Sequence, residues 1–423
     1  MTPYTRALFE AAAPLVEDSR YAEAIAVLNL AIAADAAEPF LHYALGNCQL
    51  KAGQPEDAQQ SLTLATRLDP LRAEPFNDLA AALFVLKRDA EALACLQRCL
   101  TLEPGLPEAV ETDAIWLLRY GRLREGWRRY EARFRTRANR HLRRPFTQPV
   151  WQGEPLHGRT ILLHVEQGLG DAMQFVRYAP PVAARGGRVV LQAYAQVTPL
   201  MRTLPGVAQV ITEDEAPPPF DVHCPLMSLP LVFDTDLDSI PATVPYLTVP
   251  ADRQAAWRRR LGPAGGFRVG VAWSGNPRHR DDARRSVPLA VFKTLLAERP
   301  DVEFHVCQSP VRPDDAAVLA AMPHVRNHAG LLQDFGDTGA LLSLMDLVIT
   351  VDTSVAHAAG ALGRPVWLLL AQLADWRWLL ERADSPWYPT MRLFRQAEMG
   401  DWAGVLADVA TRLRDLTGVN YGM

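Results

Sequence analysis

Three groups of residues have the types and spacing to handle a phosphorylated substrate. In the first, Asp352-Thr353-Ser354 follows the apolar run Leu347 to Val351 and leads through Val355-Ala356-His357 into a helical pattern that ends near Leu362. A helix start offers free N–H groups and a partial positive charge, which hold phosphate oxygens. Thr353 and Ser354 add hydroxyls, and His357, one turn along, adds a ring donor. Capping and ordinary packing account for the same three residues. The charge of Asp352 would repel phosphate, so a helix cap is its more natural role. In the second group, the run Ile161 to Val165 ends in Glu166-Gln167-Gly168-Leu169-Gly170-Asp171, a glycine turn flanked by two carboxylates. A carboxylate at a loop tip can take the proton of an attacking hydroxyl, and both Asp171 and Glu166 are candidates. Asp171 also suits a helix N-cap. In the third, Arg278, His279, Arg280, Arg284 and Arg285 follow a strand ending near Trp273, and offer more positive charge than one phosphate needs. Ser274, Gly275 and Asn276 end that strand and can approach a ligand, although a plain turn explains them equally well.

The elements that must position these groups alternate between buried strands and helices from Thr160 onward. Strands are expected at Ile161 to Val165, Arg188 to Gln192, Gln209 to Thr212 and Asp221 to Cys224, then at Phe267 to Ala272, Glu303 to Cys307, Leu347 to Val351 and Pro365 to Leu370. The segment from Pro241 to Pro250, proline at both ends, reads as a crossing. Two Rossmann-like parallel halves result, at 160–250 and 251–423, with ligand expected outside the carboxyl ends of their strands.

Ahead of them the chain repeats every 34 residues. Small residues recur at Ala24, Ala58, Ala92 and Gly126, large ones at Leu28, Leu62, Leu96 and Tyr130, and acids at Glu23, Asp57, Glu91 and Glu125. Where helices cross closely only Ala or Gly leaves room. The register resembles the tetratricopeptide repeat, a helix-turn-helix unit that stacks into a solenoid, and gives three and a half to four units within residues 1–135. Asp113 replaces Leu45 and Leu79, and Arg133 replaces Ala31 and Ala65, as suits a half-exposed terminal unit. Either the concave face recognises a peptide or protein, or the array only joins copies into an oligomer. Residues 136–159, with Arg137, Arg140, Arg143 and Arg144, read as a solvated linker.

The stretch from Asp352 to Pro365 resembles the nucleotide-diphosphate loop of the ADP-heptose:lipopolysaccharide heptosyltransferase family, and Gly168-Leu169-Gly170-Asp171 resembles its glycine-rich first loop. Trp116 to Phe134, with Asp375-Trp376-Arg377-Trp378 through Asp384-Ser385-Pro386-Trp387-Tyr388-Pro389, resembles bacterial proteins that join tetratricopeptide repeats to such a domain. This resemblance implies an α-solenoid followed by a GT-B pair of α/β halves, with the acceptor on the first half and the nucleotide sugar on the second. It implies an inverting, metal-independent glycosyltransferase, with Asp171 at the position of the family's proposed base. Gly168, Gly170, Ser274, Asn276, Arg285, Asp352, Thr353, Ser354 and His357 are the expected donor contacts, Arg285 standing where the family commonly has lysine. The acceptor it suggests is a protein recruited by the repeats, such as flagellin or another surface protein. A lipopolysaccharide-type transferase and a catalytically silent scaffold remain as alternatives.

Composition narrows the classes. With 49% hydrophobic and 22% charged residues and a net charge of −4, nothing calls for nucleic acid or an anionic membrane. The lysines are Lys51, Lys87 and Lys293 alone, from which no function follows. No leader opens the chain and no apolar run reaches the length of a span, so a cytoplasmic location is expected. Cys48, Cys95, Cys99, Cys224 and Cys307 form no C-x-x-C pair and read as buried thiols. A nicotinamide oxidoreductase is disfavoured because G-x-G-x-x-G is absent after the first strand. Asp234-Thr235-Asp236-Leu237-Asp238 has a metal-binding D-x-D spacing but reads as an exposed loop, so no metal or other cofactor is expected besides the nucleotide sugar as co-substrate.

Overall fold

The computed structural model describes residues 1–279, 281–297 and 302–418. They fall into two compact units, Met1–Leu117 with Glu125–Arg143, and Leu118–Arg124 with Arg144–Met423.

The repeat register becomes helices α1 (Pro3–Glu17), α2 (Tyr21–Ala34), α3 (Pro39–Lys51), α4 (Pro55–Leu68), α5 (Glu74–Val85), α6 (Asp89–Leu102), α7 (Pro107–Arg119) and α8 (Leu123–Tyr130). Proline sits in the first turn of α3, α4 and α5, where its missing N–H costs nothing. Ala24, Ala58 and Ala92 are fully buried beside Leu28, Leu62 and Leu96, so the 34-residue spacing is a packing period. Helices α3 and α4 approach closely at Gly46 of α3, where an added Cβ would lie 2.5 Å from Leu62 Cγ. The departures in the last unit are accommodated by charge. Arg133 is wholly buried, its guanidinium 4.0 Å from the centre of the Phe134 ring and 4.8 Å from that of Tyr130, with Glu131 at 2.7 Å. Asp113 pairs with Arg129. The segment after residue 135 is not wholly solvated, as expected of a linker, but begins docked: Thr136 is buried, and Arg137 N–H and Asn139 Nδ2 donate to Glu108 and Glu111 at 2.9 and 3.0 Å.

The second unit holds two all-parallel sheets. The first is built from β1 (Thr160–His164), β2 (Arg188–Ala193), β3 (Val207–Thr212) and β4 (Val222–Pro225) in the order β3-β2-β1-β4. Between its strands lie α9 (Leu169–Phe175), α10 (Ala179–Ala183) and α11 (Thr198–Met201), and α12 (Leu229–Val232) follows β4. The second sheet has β5 (Phe267–Ala272), β6 (Val302–Val306), β7 (Val325–Asn327), β8 (Leu347–Val351), β9 (Val366–Leu370) and β10 (Met391–Arg395) in the order β10-β9-β8-β5-β6-β7. Its helices are α13 (Ala251–Leu261), α14 (Asp282–Arg285), α15 (Leu289–Ala297), α16 (Pro313–Ala320), α17 (Phe335–Leu342), α18 (Ser354–Ala361) and α19 (Trp402–Thr417). Apolar residues of β5, β6 and β8, among them Val271, Phe304 and Ile349, bury against Phe292 of α15 and Leu406 and Val409 of α19. Strand order reverses at β1, between β2 and β4, and at β5, between β6 and β8. Ligands of open parallel sheets collect outside the strand ends at such points. The β1–α9 and β5–α14 loops leave these strands, and the β8–α18 loop leaves β8, the neighbour of β5.

Four of the five cysteines are buried and Cys95 is half-buried, so not every thiol is enclosed as expected. Among the described residues no helix is long and apolar enough to cross a membrane.

Leu62→Ala should destabilise the protein by about 2–5 kcal/mol through the cavity it leaves, and Gly46→Ala by about 1–3 kcal/mol through overpacking against the same leucine. Urea titration of each variant checks this, and an unchanged midpoint for Gly46→Ala would show that α3 and α4 are not in close contact there.

Candidate functional site

The β1–α9 and β8–α18 loops, far apart in sequence, open two helices that are brought into contact. Gly168 is the N-cap of α9 with extended backbone (φ −68°, ψ 169°), so Leu169 and Gly170 form the first turn. A Cβ at Gly170 would lie 2.7 Å from Cδ2 of the His357 ring, so this position requires glycine. His357 is buried on α18, its Nδ1 2.9 Å from the Tyr388 hydroxyl and its ring stacked on Trp378 with centroids 5.6 Å apart. Burial first, and then the Arg377, Arg177 and Arg285 guanidiniums, hold its pKa well below the usual histidine range. The imidazole is therefore neutral, a hydrogen-bonding group and not a cation.

Asp171 lies at the third position of α9 and is not the N-cap that its sequence context also allowed. Its Oδ2 accepts from the Gly168 N–H at 2.8 Å, which meets one of the helix's free donors from inside, while its Oδ1 is paired with Arg377. Arg377 is 7% exposed and lies in the turn Trp376–Trp378, where Nη1 reaches Asp375 at 2.9 Å and Nε reaches Gln174 Oε1 at 2.6 Å. Glu166 is more deeply enclosed, 5% exposed, and accepts from the Met227 N–H just past β4 at 3.1 Å. The two candidate bases thus differ. Glu166 is tied to its own sheet, and Asp171 faces the other.

At the start of α18 the N-cap is Thr353 (φ −141°, ψ 174°) and Ser354 is the first helical residue. No side chain caps the helix, so Asp352 does not take the cap role expected of it. The Asp352 carbonyl accepts from Arg285 Nη1 at 3.0 Å, and its carboxyl has a pKa pushed up to about 6 by burial and then by Asp375, against the pull of the Trp378 indole and the Arg377 and Arg285 guanidiniums. Two buried polar atoms meet no partner here, Thr353 Oγ1 and Arg285 Nε. The Arg285 guanidinium also fills the space over Gly275, where a Cβ would come within 2.7 Å of Nη2.

The rest of the β5 loop serves the fold. Gln308 accepts from the Trp273 and Ser274 N–H groups at 2.8 and 3.2 Å and donates to Ser274 Oγ at 2.9 Å, so Ser274 is held by its neighbours. Asn276 is exposed and closes a turn by accepting from the Arg278 N–H at 3.0 Å. Arg278 and His279 are exposed, Arg284 pairs with Asp281, and Arg280 lies outside the described residues. The D-x-D motif is a turn: Thr235 is buried with Oγ1 2.9 Å from the Tyr178 hydroxyl, and Asp236 accepts from the Leu237 N–H at 3.0 Å. Among the described residues no cluster of His, Cys, Asp and Glu has the arrangement of a metal site.

Sequence reasoning missed Arg377 and Arg177 as site residues. Arg177 is 3% exposed, and its charge is met by the Trp387 and Gln174 carbonyls at 2.6 and 2.8 Å, the Tyr246 hydroxyl at 2.9 Å, and the Tyr246 and Tyr388 ring faces, both at 4.6 Å. For Arg377 a signal was present, since it stands between Trp376 and Trp378 in the segment already singled out.

No protein-family model matches the chain. It is 28% identical to Protein FlbA of Caulobacter vibrioides over an alignment of 431 residues, which covers 96% of this chain and 72% of FlbA. Among solved structures, ADP-heptose lps heptosyltransferase II of E. coli is similar at 15% identity with a TM-score of 0.44, over 61% of this chain and 98% of that one. The glycosyl transferase family 9 protein of Veillonella parvula is similar at 8% identity with a TM-score of 0.49, over 63% of this chain and 99% of that one.

Because the Asp352 pKa is raised on folding, to about 6, the stability its protonated form contributes is full below the unfolded value of about 4 and is lost as pH rises through 6. Asp352→Asn should therefore stabilise the protein at pH 7.5 relative to its effect at pH 4, by about 1–3 kcal/mol. Denaturant titrations at the two pH values check this, and equal effects at both would contradict the burial of the carboxyl.

Proposed function

We propose that the protein is a glycosyltransferase that moves a sugar from a nucleoside-diphosphate donor to a hydroxyl of a protein acceptor. The observation that carries this reading is the start of α18. An uncapped helix N-terminus, the unpartnered Thr353 Oγ1 and the Arg285 guanidinium meet there, at a point of strand reversal and opposite a second glycine loop bearing a carboxylate. Free N–H groups and a guanidinium stabilise a leaving diphosphate. Its negative charge is met without a metal, because the helix end and arginine supply the positive field.

In the proposed reaction the acceptor oxygen attacks the anomeric carbon as the bond to the diphosphate oxygen breaks. The acceptor's proton passes to a carboxylate, and the nucleoside diphosphate departs with the bonding electron pair. Attack opposite the leaving group inverts the anomeric centre. Asp171 is the carboxylate that faces the second sheet and is the base in this account, while the enclosed Glu166 supports the β4 side. The neutral His357 can offer a hydrogen bond to a phosphate or ribose oxygen without adding charge. The repeats, which stack into a solenoid and leave an extended surface, recruit the acceptor.

Thr353→Val and Arg285→Met should each weaken binding of the donor that a thermal-shift panel of sugar nucleotides selects, by about 0.5–3 kcal/mol per lost contact. Asp171→Asn should lower kcat by roughly 10²- to 10⁴-fold with the donor Kd little changed, and EDTA should leave the wild-type rate intact. Calorimetry and a product assay separate these outcomes. If Glu166→Gln abolishes turnover and Asp171→Asn does not, the base is Glu166. If no sugar nucleotide binds, the transfer reading fails.

A further inference from the structure

Arg377 stands between the two sheets. It is carried by the turn that follows β9, yet its guanidinium reaches Asp171 and Gln174 of α9 while holding Asp375 beside itself. It is 7% exposed and lies 4.3 Å from the centre of the Trp376 ring and 5.7 Å from that of Phe175, so its direction is fixed by packing as well as by charge. Asp171 is consequently gripped from both sides, Oδ2 by the Gly168 N–H of its own loop and Oδ1 by Arg377 of the opposite sheet. A carboxylate held at both oxygens is restrained from rotating about its Cβ–Cγ bond, and the grip on Oδ1 comes from the second sheet.

We propose that Arg377 is a positioning residue that orients the Asp171 carboxylate and makes that orientation depend on closure of the cleft. The guanidinium suits this task because its planar fork serves Asp171, Asp375 and Gln174 at once, which an ammonium cannot do in fixed directions. Arg377 does not touch the reacting atoms in this account. It acts through Asp171, which is base only when the second sheet supplies the other half of its hydrogen bonding. This role rests on the transfer reading for its kinetic consequence, but not for its structural one.

The test uses the full-length protein with Arg377→Met and Arg377→Lys, and has two arms. In hydrogen exchange without any nucleotide, the Gly168 amide, which donates to Asp171, should exchange about tenfold or more faster in Arg377→Met while core strands keep their protection. Unchanged exchange at Gly168 would overturn the proposal. In the kinetic arm, with the donor selected above, kcat should fall on the order of 10²-fold in Arg377→Met and recover in part in Arg377→Lys, with the donor KM within about twofold of wild type. Added to Asp171→Asn, Arg377→Met should cost no more than about twofold further, because both act through one group. Effects that multiply, or a collapse of donor affinity at unchanged kcat, would make Arg377 an independent contact or a phosphate ligand. If Arg377→Met does not fold, Arg377→Gln, which removes the charge but keeps a polar side chain, carries the same comparisons. If the wild type turns over no donor, the transfer reading fails, and the exchange arm still decides whether Arg377 holds the loop.

Discussion

The organisation of the second unit depends on one close approach, that of Gly170 on the first sheet to His357 on the second. With a Cβ excluded at Gly170 by 2.7 Å to the imidazole, the first turn of α9 packs directly against α18. Each sheet alone would present an ordinary strand-turn-helix. Together they bring the carboxylate-bearing first turn of α9 against α18, the arrangement on which the proposed group transfer rests.

Charge around this contact is largely paired or hydrogen-bonded. Arg377 is paired with Asp171 and Asp375, Arg285 is bonded to the Asp352 carbonyl, and Arg177 is satisfied by carbonyls and phenols. Burial, helped by three nearby guanidiniums, holds the His357 pKa well below the usual range, and burial together with Asp375 keeps Asp352 reluctant to ionise. Near Thr353 the site offers hydrogen bonds and the Arg285 guanidinium, with the Asp352 carboxyl beside them carrying charge only above a pH of about 6. Such pairs are costly to break one partner at a time, because the remaining charge is left enclosed.

Much of this was legible in the sequence because it depends on local signals. The strand Leu347–Val351 and the turn after it, and the β1 run ending in glycines, have boundaries written by apolar runs and turn residues. The small residues of the repeat mark helix crossings directly. What was not legible depends on tertiary partners. Strand β7 has three residues and only Val325 buried, too short to show a period, and β10 places exposed Arg392 within an apolar strand after a long tryptophan-rich segment. Whether Asp171 is a cap or a facing carboxylate was undecidable without Arg377, 206 residues away. The expected cap role of Asp352 failed for a similar reason. The N-cap fell one residue later, at Thr353, and neighbours from the second sheet claimed the carboxyl instead.

The central claim is that the start of α18 and Arg285 hold the donor diphosphate, opposite the β1–α9 loop that leads to Asp171. It is tested most directly by a crystal structure of the protein with the nucleoside diphosphate that stabilises it most. The account predicts phosphate oxygens within hydrogen-bonding distance of Thr353 Oγ1, the first N–H groups of α18 and the Arg285 guanidinium, with Gly170 close to the bound anion. A diphosphate seated elsewhere, with Thr353 and Arg285 keeping their present surroundings, would contradict it.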